Sequence, residues 1–101
     1  MASGELQLRF RAMVIEWRGP APFFFAPLPA AEAEEVRRVA RAVSYGWGVI
    51  PVAARIGGVR FTTSLFPRDE TYLVPIKVAV RRKVEITVGD EIEVELAIGA
   101  G

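Results

Sequence analysis

Cysteine and histidine are both absent from the 101 residues. Without cysteine there is no disulfide framework, no thiol nucleophile and no thiolate metal site. Without histidine the chain lacks the commonest general base and the commonest transition-metal ligand. No run of about 18 apolar residues occurs, which excludes a membrane-spanning helix and leaves no expected membrane partner. The opening MASGELQLRF has neither the basic nor the apolar region of a secretory signal, so the expected location is cytoplasmic. An excess of one charge is missing too: 13 basic and 12 acidic residues leave a net charge of +1, which by itself selects no partner. What is present, 51% hydrophobic and 25% charged residues, is the composition of a compact soluble protein, and the length suits one core in a single domain, 1–101.

The chain is organised around Val49 to Phe66, VIPVAARIGGVRFTTSLF. Gly57-Gly58 supplies the positive φ values that a two-residue hairpin turn needs, and both flanks are rich in β-branched and aromatic residues. The turn fixes the register. Ile56 faces Val59, Ala54 faces Phe61, Val52 faces Thr63 and Ile50 faces Leu65, so one face is apolar and covers a core. The other face carries Arg55, Arg60, Thr62 and Ser64.

Before the hairpin, Leu6 to Trp17 alternates as one strand, with Leu6, Leu8, Phe10, Ala12 and Val14 inward and Gln7, Arg9 and Arg11 outward. Past Arg11 the outward set becomes Met13, Ile15 and Trp17, which predicts cover on both faces. Pro22 to Leu28 reads as a second strand that its prolines confine to an edge or a bend. Pro29 opens a helix through about Tyr45, acidic first and basic later, with Glu34 reaching Arg38 at i,i+4 and a stripe of small side chains from Ala33 to Val43. After the hairpin, Pro67 to Glu70 is a turn and Thr71 to Val74 a short strand. Pro75 starts a short helix, Ile76 to Lys83, although valines at 78, 80 and 84 pull towards strand. Val88 to Glu91 turns into a last strand, Ile92 to Ile98, with Glu91, Glu93 and Glu95 outward. The expected fold is mainly β: a small closed or nearly closed barrel of about six strands, one α-helix between the second and third strands, and a short helix before the last.

The order FRAMVIEW, PFFFAPLP before a helix, WGVIPVAARIGGVRFTTSLFP, then YLVPIKVAVRRKVEITVGDEIEVEL resembles the domain of unknown function 1905 family of bacteria and archaea, from about Phe10 to Leu96. Trp47-Gly48, the FTTSL segment and the block from Tyr72 through Gly89-Asp90 carry the resemblance. It implies a small β-barrel, alone or fused beside a YdeI-like bacteriocin-protection domain, and no assigned activity. With the chain ending soon after Leu96, the expectation is the form without a fused partner. Pro75, Arg81, Arg82, Gly89 and Asp90 also resemble the turn of swapped-hairpin DNA-binding domains of the transition-state-regulator type, a likeness of a turn rather than of function.

Arg55 and Arg60 fall directly opposite each other, an arrangement unfavourable by a few tenths to about 1 kcal/mol unless an anion answers it. With Thr62 and Ser64 on the same face, the four are candidates to hold a phosphate or carboxylate. The competing reading pairs the arginines with Glu91, Glu93 and Glu95 across strands. Trp47, with Trp17 and other aromatics, is a candidate lining for a small-molecule pocket between the helix and the barrel mouth; the plainer reading is packing. Arg81-Arg82-Lys83 is the one basic cluster, and as a nucleic-acid contact it supplies two or three phosphate neutralisations. A serine or threonine nucleophile here would need lysine or a carboxylate as its base, and no motif places Ser44, Thr62, Thr63 or Ser64 with one. The expectation is therefore a non-enzyme with no cofactor and no metal. It is a binding or interaction module, with an anionic small molecule, a protein or another copy of itself as possible partner; the alternatives are a pocketed small-molecule binder and a nucleic-acid binder.

Overall fold

The computed structural model describes residues 6–17, 23–43 (side chains through residue 40) and 50–99. Its elements are β1 (Leu6–Met13), β2 (Ile15–Trp17), β3 (Phe23–Pro27), α1 (Ala30–Val43), β4 (Ile50–Ile56), β5 (Val59–Arg68), β6 (Thr71–Ile76), α2 (Val78–Val84) and β7 (Glu91–Ile98). The strands form one antiparallel sheet in the order β1-β7-β4-β5-β6-β3-β2, curled into a half-barrel. The β4–β5 hairpin has the expected register at every pair from Ile50↔Leu65 to Ile56↔Val59, and Gly57 and Gly58 take φ of 57° and 82°.

Seven strands replace the six expected because Leu6 to Trp17 breaks at Val14. The Val14 amide donates to the Asp90 carbonyl at 2.8 Å, and the Val14 carbonyl accepts from the Gly89 amide at 2.9 Å. Beyond that point the chain leaves β7 and pairs with β3 instead. The two ends of the sheet order, β1 and β2, are thus consecutive in the chain, and the edges of the curled sheet meet at Val14. The expected cover over the second half of this segment is not found at Met13 and Trp17, which are 60% and 47% exposed. With the first strand split, α1 lies between the third and fourth strands.

Nor is β3 an edge. It lies between β2 and β6, and its one proline, Pro27, stands at the last residue of the strand, where β2 no longer pairs with it. The other strand prolines follow the same logic, that a residue without an amide hydrogen needs a place where no partner asks for one. Pro51 lies just past the last β4–β7 pair, Val52↔Ile98, and Pro67 past the last β4–β5 pair, Ile50↔Leu65. Pro75 lies beyond the β5–β6 pairing, which stops at Phe66↔Leu73; it belongs to β6, so the short helix begins at Val78 rather than Ile76.

Inside the curl, Leu65, Ile50, Val74 and Val94 are wholly buried, and burying such a side chain contributes about 2 kcal/mol each. Ala33 and Val36 of α1 and Val80 of α2 enter the same core. Pro29 stands just ahead of α1, its carbonyl accepting from the Ala33 amide at 2.9 Å. Among the described residues, Glu34 on α1 pairs with Arg37 at i,i+3, one residue earlier than the expected Arg38. Arg37 also donates to the Glu70 carbonyl at 2.7 Å, which ties the helix to the β5–β6 turn.

Candidate functional site

The sheet registers assemble a site on the outer face of β1-β7-β4-β5. Side chains directly opposite across paired strands point the same way, so two rows cross all four strands. One row runs Gln7, Ala97, Ala53, Thr62; the next runs Arg9, Glu95, Arg55, Arg60. The alanines leave a floor with no bulk above it, and the result is an open depression of about 1050 Å³. Gln7 and Thr62 stand at its two ends, and the charged row lies alongside.

Charges along that row are answered unevenly. Arg9 reaches Glu93 at 3.1 Å and Glu95 at 3.3 Å, and Arg55 Nε lies 3.4 Å from Glu95. Arg11 reaches Glu91 at 3.4 Å. Arg60 has no carboxylate within ion-pair distance among the described residues, although Arg55 stands directly opposite. Each existing pair is exposed, so its attraction is screened and worth less than about 1 kcal/mol. An incoming anion can compete for such arginines.

Of the residues singled out in the sequence, the structure brings Arg55, Arg60 and Thr62 together in the depression. Ser64 shares their face but lies two strand repeats, about 13 Å, from Arg60, too far to hold the same small anion. Trp47 lies outside the described residues. Sequence reading missed Gln7, Ala53 and Ala97, which come from three strands; the only local signal was a small residue at an outward position of a strand. The expected pairing of the glutamates with the hairpin arginines is met by Glu95 with Arg55 alone, and the remaining contacts go to Arg9 and Arg11 of β1.

The basic cluster occupies the last turn of α2, where cations complement the helix dipole. The Arg81 guanidinium lies 4.0 Å over the Phe24 ring, and its Nε is buried without a hydrogen-bond partner among the described residues. That leaves Arg82 and Lys83 to face solvent. A smaller depression of about 360 Å³ lies beside Arg37 and Tyr72 at the β5–β6 turn. It lies between Arg37 of α1 and the end of the β5–β6 hairpin, the region where the sequence placed a pocket, and Trp17 is not among its lining residues. Among the described residues no group of three or more acidic side chains is placed to hold a metal, and no helix is long and apolar enough to cross a membrane.

The family model for a domain of unknown function, DUF1905, matches residues 10–96, from Phe10 in β1 to Leu96 in β7. The chain belongs to that family. Among curated proteins, no relative matches it. The DUF1905 match takes in the whole hairpin and the half of the β1–β7 pairing from Phe10↔Val94 to Met13↔Glu91, while Gln7, Arg9 and Ala97 of the depression lie outside it. It also takes in the Gly89-Asp90 turn, which latches the bend at Val14. There the Asp90 carboxylate accepts from the Thr87 amide at 2.9 Å and the Thr87 hydroxyl at 3.0 Å.

Proposed function

We propose that this protein is a non-catalytic binding module of the cytoplasm whose working surface is the outer face of β1-β7-β4-β5. Its ligand presents a carboxylate or phosphate to Arg60 and Arg55, with Thr62 as a hydroxyl donor. The observation that carries this is Arg60, the one arginine of that face without a carboxylate among the described residues, held opposite a second arginine by a rigid hairpin. Guanidinium groups suit planar or tetrahedral oxyanions because their donors form a fork. Catalysis is not part of the reading: Thr62 has neither histidine nor cysteine to work with, and the face offers positioning and charge rather than proton transfer.

A thermal melt in low salt against phosphate and glutarate tests the proposal. An anion at ten times its dissociation constant stabilises by about 1.4 kcal/mol, which raises Tm by several degrees in a domain this small. The rise is expected to vanish in Arg60→Ser and to persist in Arg82→Ser. No rise with any anion, or a rise indifferent to Arg60→Ser, would refute the assignment.

A further inference from the structure

β5 has one strand neighbour where it ought to have two. From Val59 to Leu65 it pairs with β4 only, and β6 joins its other side from Phe66 onward. The reason is covalent. In an antiparallel ladder alternate pairs exchange hydrogen bonds, and the pair flanking a two-residue turn is a bonded one. The Asp69-Glu70 turn therefore makes Arg68↔Thr71 and Phe66↔Leu73 bonded pairs, and the next bonded pair would join Ser64 to Pro75, which has no amide hydrogen. The ladder stops there.

The same alternation, counted from Gly57-Gly58, fixes which backbone groups are left over. Ile56↔Val59, Ala54↔Phe61 and Val52↔Thr63 are the bonded pairs of the hairpin. Arg60, Thr62 and Ser64 consequently turn their amides and carbonyls away from β4, towards the open side. Arg60 and Thr62 are exposed residues, Ser64 is half-buried, and no backbone hydrogen bond of the three on that side is found among the described residues. α2 packs beside β5 and reaches the hairpin turn, where Val84 lies against Gly57, but it supplies no strand partner to β5 among the described residues.

We infer that the anion recognised on this face is a carboxylate carried by an extended protein segment that adds as a strand along the open edge of β5. This rests on the reading of Arg60 given above and specifies its ligand. Two observations define the segment. The outward charge row alternates Arg9, Glu95, Arg55 and then breaks at Arg60, so the next position, on the added strand, calls for Glu or Asp. On the inward face Val59 and Phe61 are only half-buried beside the gap, so the alternate residues of the segment are apolar. β7, with Glu91, Glu93 and Glu95 outward and Ile92, Val94 and Leu96 inward, shows the same pattern between β1 and β4. A second copy pairing through its own β5 sets Arg60 against Ser64 when centred on Thr62 and leaves both arginines unanswered, which disfavours self-association. The end strands of the sheet are β1 and β2; Arg9 and Arg11 on β1 already hold glutamates, and β2 is only three residues long.

A labelled, end-capped hexapeptide alternating Glu and Val, titrated at low salt, is the probe, with free glutarate alongside. Saturable binding is expected, at least tenfold weaker with Arg60→Ser and with a Lys-Val peptide of the same length. It should also be at least tenfold weaker with the Glu-Val peptide N-methylated at the residues that face β5, which keeps the charge and removes the strand bonds. If the N-methylated peptide binds equally well while Arg60→Ser abolishes binding, the strand addition is wrong and the anion site stands. If neither peptide nor glutarate binds, both are wrong.

Discussion

The two halves of the curled sheet treat their outer faces differently. In β1-β7-β4-β5 the outer face carries ion pairs and small residues, and the inner face supplies half of the buried core. In β2-β3-β6, together with the end of β5 that pairs with β6, the outer face is aromatic. There the Phe25 ring meets Phe66 at 5.4 Å and 88° and Trp17 at 5.8 Å and 68°, and the Arg68 guanidinium covers Trp17 at 4.4 Å. Phe25 and Leu73 are 3% and 2% exposed, yet neither belongs to the main core. One half has committed both faces to packing; the other keeps one face for charge. A surface used for binding is expected on the second, where pairs are weak and reversible and where β5 has an open edge.

The largest expected effect tests whether the aromatic face is a packed layer. Phe25→Ala should cost about 3 kcal/mol in urea unfolding, close to Leu65→Ala in the main core; a loss below about 1 kcal/mol would show the outer aromatics to be loose surface. Next in size is Gly57→Ala. Its new Cβ would meet Val84 Cγ1 at 2.7 Å at a φ of 57°, whereas the Cβ of Gly58→Ala meets nothing at 82°. The first should cost roughly 1–3 kcal/mol and the second about 1 kcal/mol; equal costs would deny that α2 braces the hairpin. Glu95→Gln should change stability by less than about 1 kcal/mol, because its partners are exposed. It should also tighten phosphate binding by freeing Arg55, and weaker binding would mean that the Arg9–Glu95–Arg55 row positions the site. Smallest of all, Trp17→Ala should lower stability by under about 1 kcal/mol, since half of the side chain already faces water; a loss matching Phe25→Ala would make the aromatic layer cooperative.

The same contrast explains what could be read beforehand. The β4–β5 register was legible to the residue because Gly57-Gly58 fixes it locally, and β7 alternated cleanly because one of its faces is charged. The break at Val14 was not legible: it depends on bonds to Gly89 and Asp90, some 75 residues away. Phe23 to Pro27 misled through its proline, which suggests an edge, whereas Pro27 stands beyond the last β2–β3 pair and so lets β3 sit inside the sheet. Apolar residues on both faces also erase the period that distinguishes inside from outside. Within the site, Arg55, Arg60 and Thr62 followed from one hairpin, while Ala53, Ala97 and Gln7 became a floor and a wall only through the β1–β7–β4 register.

Amide hydrogen exchange along β5 in the unliganded protein tests the central claim most directly, that the polar half keeps an open strand edge. The account predicts alternation: slow exchange at Phe61, Thr63 and Leu65, whose amides bond to β4, and fast exchange at Arg60, Thr62 and Ser64. Uniform protection from Val59 to Leu65 would show the edge already closed and would contradict it.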